Sequence, residues 1–67
     1  MKELIDELLT EQDELLVKTK KLKSFIGTDV YSKTLPNKHK ELLRKKLEAM
    51  FAYRDVLDEL IEYLEGL

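Results

Sequence analysis

Two ladders of apolar residues, each repeating every seven positions, constrain this chain more than any other feature. Met1, Leu8, Leu15 and Leu22 form the first; Leu43, Met50, Leu57 and Leu64 form the second. A seven-residue repeat returns to nearly the same side of an α-helix after two turns. Each ladder therefore specifies a helix with one stripe that needs a neighbour. Leu4, Ile5, Leu9, Leu16, Phe25 and Ile26 flank the first ladder, which predicts a helix over about 2–26. Within it, Thr10-Glu11-Gln12-Asp13 has the spacing of a capping box, a hydroxyl three residues before a carboxylate. A short separate N-terminal helix ending near Leu9 is the alternative to one unbroken helix. The unbroken form is preferred, because Glu, Gln and Leu are good helix formers.

Gly27 is expected to close this helix in the left-handed conformation that glycine adopts at low cost. The connection, residues 27–35, has room for a single helical turn capped by Thr28. Pro36 suits the first turn of the next helix, where its missing N–H costs nothing. That second helix is predicted over about 36–65. A connection of about nine residues lays the two helices antiparallel. The expected fold class is all-α: one helical-hairpin domain spanning residues 1–67.

A chain of this length buries only about 60% of its unfolded surface, so its core is marginal without help. Cysteine is absent and His39 stands alone, which removes disulfides, thiolate metal sites and a zinc centre as that help. Self-association is what remains. The second helix supports it: Leu47, Leu60, Ile61 and Leu67 lie on one flank of its ladder, and Leu42, Ala49, Tyr53, Val56 and Tyr63 on the other. Together these make a face wider than one partner helix covers. The acidic, interrupted N-terminus is unlike a signal peptide, and no apolar run approaches the ~20 residues of a membrane span. A soluble intracellular protein is expected.

Charge is sharply segregated. Lys18 to Lys46 holds ten of the twelve cations against only Asp29 and Glu41, a balance of +8, whereas the remaining residues carry −10. A hairpin folded within that stretch has a cationic end and an anionic end. In the first helix this order suits the macrodipole. In the second it is reversed: Lys38, Lys40, Arg44, Lys45 and Lys46 crowd the N-terminal turns, at about 0.3–1 kcal/mol per poorly placed charge. Antiparallel pairing sets basic beside basic and recovers none of this. An anionic ligand at the basic end would offset the cost.

Two stretches carry a family resemblance. Glu14-Leu15-x-x-Lys18-x-x-Lys21-Leu22-x-x-Phe25-Ile26 and Leu42-Leu43-Arg44-x-x-Leu47-x-Ala49-Met50-x-x-Tyr53-x-x-Val56-Leu57 resemble, in order and spacing, the helical-hairpin family of phage anti-CBASS sponges. That hairpin is shared with the anti-Thoeris sponges. The resemblance runs from about Glu11 to Ile61. It implies a non-catalytic homo-oligomer, a hexamer, that sequesters cyclic oligonucleotide immune messengers in the cytoplasm of an infected bacterial host. By the same resemblance, Lys18 matches a phosphate-contacting lysine and Lys21 is its neighbour one turn on. Two departures stand out. Glu3-Leu4 occupy the place of a base-stacking aromatic, and Glu59-Leu60 that of a late arginine associated with larger three-base rings. The chain also lacks the C-terminal domain of the anti-Thoeris proteins.

The candidate phosphate ligands are thus Lys18, Lys21 and Arg44, each of which is otherwise a solvated cation. Tyr31 and Phe25 are candidates for base stacking; the alternative for Tyr31 is to plug the hairpin end against Phe25. Thr28 either caps a helix or donates to phosphate, and Tyr53 and Tyr63 are read as packing residues. His39 has no nucleophile spaced to work with it, and the carboxylates have ordinary helical spacing, so no catalytic residue, metal or cofactor is expected. Two rival functions remain: an RNA- or DNA-binding hairpin using the same basic end, and a structural adaptor binding protein through its apolar face with no nucleotide ligand.

Overall fold

Leu, Glu and Lys dominate both long segments, and each lowers the cost of a helix. In the computed structural model, which describes every residue from Met1 to Leu67, the chain forms α1 (Lys2–Ile26), α2 (Asp29–Thr34) and α3 (Asn37–Glu65). α1 and α3 pack antiparallel as a hairpin, as the two ladders and the short connection predict. α1 is unbroken: the Thr10 hydroxyl donates back to the Asp6 carbonyl (3.1 Å) and caps nothing. The separate N-terminal helix is therefore not formed. Pro36 lies just outside α3, at its N-cap, with an extended backbone.

The expectation for Gly27 is corrected. Its φ is −82°, so it is not left-handed. The Gly27 N–H donates to Ser24 O (3.2 Å) and the Thr28 N–H to Phe25 O (3.0 Å), a tightened last turn that closes the helix without a left-handed residue. Thr28 then caps α2 at once, its hydroxyl oxygen accepting from the Tyr31 N–H (3.3 Å).

The hairpin is 49 Å long but only 15 by 12 Å in section, one layer of two helices. Such a shape buries little. Only Thr19, Tyr31, Leu57, Ile61 and Leu64 are buried, while Ile5, Leu8, Leu15, Leu22, Leu43, Leu47 and Met50 are half-covered. Thr19 interrupts the apolar seam of α1. Its hydroxyl donates to the Leu15 carbonyl (2.7 Å), so a buried polar atom is satisfied within its own helix. The seam is locked by polar pairs as well, Gln12 donating to Asp58 and Tyr53 to Glu11.

Tyr31 closes the hairpin end and is only 3% exposed. Phe25 meets its ring edge-on at 6.1 Å, and its hydroxyl donates to the Lys40 carbonyl (3.2 Å). The Lys40 ammonium in turn donates to Ser32 O (2.7 Å). These contacts staple α2 onto the start of α3.

Candidate functional site

The register of the hairpin decides which charges meet. Antiparallel packing brings Lys18 and Lys21 of α1 opposite Lys46 of α3, and with Leu22 and Met50 these line a groove of about 330 Å³. Three cations therefore converge from two helices onto an apolar floor. All three are exposed, and none forms an ion pair. The sequence explains why for two of them. Residues three and four positions away on a helix are its surface neighbours. For Lys46 these are Leu42, Leu43, Ala49 and Met50, and for Lys21 they are Val17, Lys18, Ser24 and Phe25. No carboxylate of their own helix can reach either ammonium. Among the other cations, Lys38 and Lys45 pair with Glu41, Lys33 with Asp29 and Arg54 with Asp55, whereas Lys2, Lys20, Lys23, Lys40 and Arg44 form no ion pair either; the groove lysines are set apart by converging, not by being unpaired.

α3 also reverses the usual electrostatics of its ends. Its first turn contains no acid and its last turn no base, whereas α1 has Glu3 in its first turn and Lys23 in its last. The partial positive charge of the α3 N-terminus thus adds to the lysines around it.

The groove continues along the same face. Beyond Lys18 lies a concavity of about 130 Å³ walled by Glu11, Glu14, Leu15, Lys18 and Tyr53. Beyond Tyr53 lies an apolar one of about 370 Å³ with Leu8, Val56, Leu57 and Leu60. The Tyr53 hydroxyl donates to Glu11 Oε2 (2.5 Å), and that hydrogen bond is the first cause holding its pKa above the ordinary phenol value. Desolvation and the Glu11 charge act in the same direction.

Of the residues singled out from the sequence, Lys18 and Lys21 lie together in the groove. Arg44 does not join them. It lines a separate concavity with Asn37, Lys40, Glu41, Lys45 and Glu48, its guanidinium 5.8 Å from the Tyr31 ring centre. Lys40 approaches the same ring at 6.0 Å, so both cations are within cation–π range. Phe25 and Tyr31 are occupied with each other at the hairpin end, which places Tyr31 in the plug position. Lys46 is the groove residue that sequence reasoning misses as a ligand. Its signal is present nonetheless: a lone cation among apolar neighbours, seven residues before Tyr53.

No group of three or more His, Cys, Asp or Glu is gathered as a metal site, and no helix is long and apolar enough to cross a membrane. The arrangement suits reversible capture of an anion by charge-assisted hydrogen bonds. In comparison with known proteins, the Sequestin family model matches residues 2–63. No curated protein and no solved structure matches the chain.

Proposed function

The chain belongs to the Sequestin family, and from that premise we propose that it binds cyclic dinucleotide immune messengers and withholds them from their effectors without chemical turnover. One observation carries the reading: Lys18, Lys21 and Lys46 converge, unpaired, on one groove. A cyclic dinucleotide presents two phosphates on a rigid ring, and a cluster of ammonium groups with free donors meets them without first breaking internal salt bridges. The apolar floor of Leu22 and Met50 gives sugars and bases a surface to cover. Tight equilibrium binding is all that sequestration requires.

Self-association belongs to the same proposal. α3 carries a second seven-residue stripe, Leu42, Ala49, Val56 and Tyr63 alongside Lys46, Tyr53 and Leu60, with Leu67 just past its end, and every one of these residues is exposed in the single chain. Because Lys46 lies in this stripe, a second copy packed on it would also wall the phosphate groove. Arg44, which lines a different concavity, would then serve a ring held between copies. The number six rests on the resemblance to the sponges.

A nucleic-acid hairpin is the weaker reading, since Glu11 and Glu14 adjoin the lysines and would repel an extended polyanion. The deciding experiment reverses two charges, Lys18→Glu with Lys21→Glu. Loss of cyclic dinucleotide binding with helicity and assembly intact supports sequestration. Unchanged binding refutes the groove assignment, and the absence of ring binding in the unaltered protein points to the adaptor.

A further inference from the structure

The exposed stripe of α3 says that a second copy can pack there; its charges say which way that copy runs. Leu42, Ala49, Val56 and Tyr63 are spaced symmetrically about a point beside Tyr53, so a like stripe matches them in either direction. Apolar contact alone leaves parallel and antiparallel pairing open.

Charge is not symmetric about that point. Residues 38–46 hold Lys38, Lys40, Arg44, Lys45 and Lys46 against Glu41, a balance of +4. Residues 59–67 hold Glu59, Glu62 and Glu65 and no cation, a balance of −3. The fold of one chain leaves this separation uncompensated. α1 sets bases beside the first stretch and acids beside the second, every ion pair lies within a single helix, and Glu59, Glu62 and Glu65 take part in none. The order along α3 also opposes its own macrodipole.

A parallel copy sets +4 beside +4 and −3 beside −3, with the two macrodipoles side by side in the same sense. An antiparallel copy centred on the stripe lays residues 38–46 of each chain along residues 59–67 of the other. Leu42 then faces Tyr63 and Ala49 faces Val56, and each acidic last turn lies beside a basic first turn. The charge order that is unfavourable within one helix becomes favourable between two.

We propose that two copies pair through α3 in antiparallel register, about a two-fold axis beside Tyr53. This pairing rests on the self-association proposed above, gives it a direction and a register, and involves no ligand.

Cysteine is absent from the chain, so introduced cysteines report the pairing without background. Under mild oxidation, Leu42→Cys mixed with Tyr63→Cys should give mainly the mixed covalent dimer, identified by its mass, and Ala49→Cys mixed with Val56→Cys should do the same. Leu42→Cys alone should stay uncrosslinked: its two copies lie about 32 Å apart along the pair, the rise over residues 42–63, and a disulfide bridges no more than about 7 Å between Cα atoms. Sedimentation of the unaltered protein gives a second reading that no substitution disturbs. Contacts between opposite charges should weaken between about 50 and about 500 mM sodium chloride, whereas a parallel pair should tighten as its repulsion is screened. Self-crosslinking of Leu42→Cys and Tyr63→Cys, or a pair that tightens with salt, overturns the antiparallel direction. An oligomer that crosslinks at neither cysteine pair overturns pairing through α3 and leaves self-association standing. A monomeric unaltered protein sinks both.

Discussion

Replacing Tyr31 dissects the closure of the hairpin. The ring is 3% exposed, meets Phe25 edge-on, and lies within 6.0 Å of two cations, while its hydroxyl reaches the Lys40 carbonyl. Tyr31→Phe removes one neutral hydrogen bond, worth about 0.5–1.5 kcal/mol. Its acceptor sits in α3, where a backbone N–H one turn on is a second partner, which favours the lower half of that range. Tyr31→Ala removes the ring, and burial loss plus cavity cost about 3–5 kcal/mol for a large aromatic. In a domain of this size 1 kcal/mol moves the melting temperature by about 4–8 °C. Thermal unfolding monitored by circular dichroism should show a drop of a few degrees for the phenylalanine variant and at least about 12 °C for the alanine variant. Since α2 is held to α3 through this residue, hydrogen exchange in residues 28–35 should accelerate before the rest of the chain. A melting temperature for Tyr31→Ala within 2–3 °C of the parent, on the order of 0.5 kcal/mol, would refute Tyr31 as the closure of the fold.

Gly27→Ala should be neutral or raise stability by about 0.4–1 kcal/mol in a thermal melt, since its φ is negative and an added Cβ meets only backbone oxygens, Ser24 O nearest at 3.5 Å; clear destabilisation would contradict the tightened-turn closure. The Tyr53 phenol should ionise at higher pH than free tyrosine, and Glu11→Gln should bring its ultraviolet titration back down. Because the folded pKa is the higher one, this contribution to stability is complete below about pH 10 and fades as pH climbs through the folded value. Val56→Glu with Leu60→Glu, two exposed residues of the second α3 stripe, should shift sedimentation toward the monomer while the helical signal of the hairpin survives.

Features that depend on neighbours in the chain are legible in the sequence. The seven-residue ladders specify both long helices, the short connection their antiparallel arrangement, and Thr28 the turn between them, because periodicity, connection length and capping are local. Gly27 departs from expectation because α2 starts two residues later, leaving no span for a left-handed exit. The capping spacing at Thr10 is equally real, but a hydroxyl inside a strong helix bonds back to its own carbonyls instead. The burial of Thr19 depends on how closely α3 crosses α1, a tertiary property that no local pattern carries. Lys46 is the instructive case for the site. Its lack of helical ion-pair partners is visible in the sequence, yet its meeting with Lys18 and Lys21 depends on the register that Tyr31 and the short α2 impose. Arg44 is the converse, a cation that looks equivalent in the sequence and lines a different concavity.

The measurement that tests the central claim most directly is a titration of the intact protein with cyclic dinucleotide, with the ligand then recovered and chromatographed. Saturable binding that is lost in the Lys18→Glu, Lys21→Glu double variant, with the ring recovered uncleaved, is the predicted result. At a ligand concentration about 100 times the dissociation constant, binding should also stabilise the fold by about 2.7 kcal/mol. A linearised product, or a ring bound equally well without the two lysines, would contradict it.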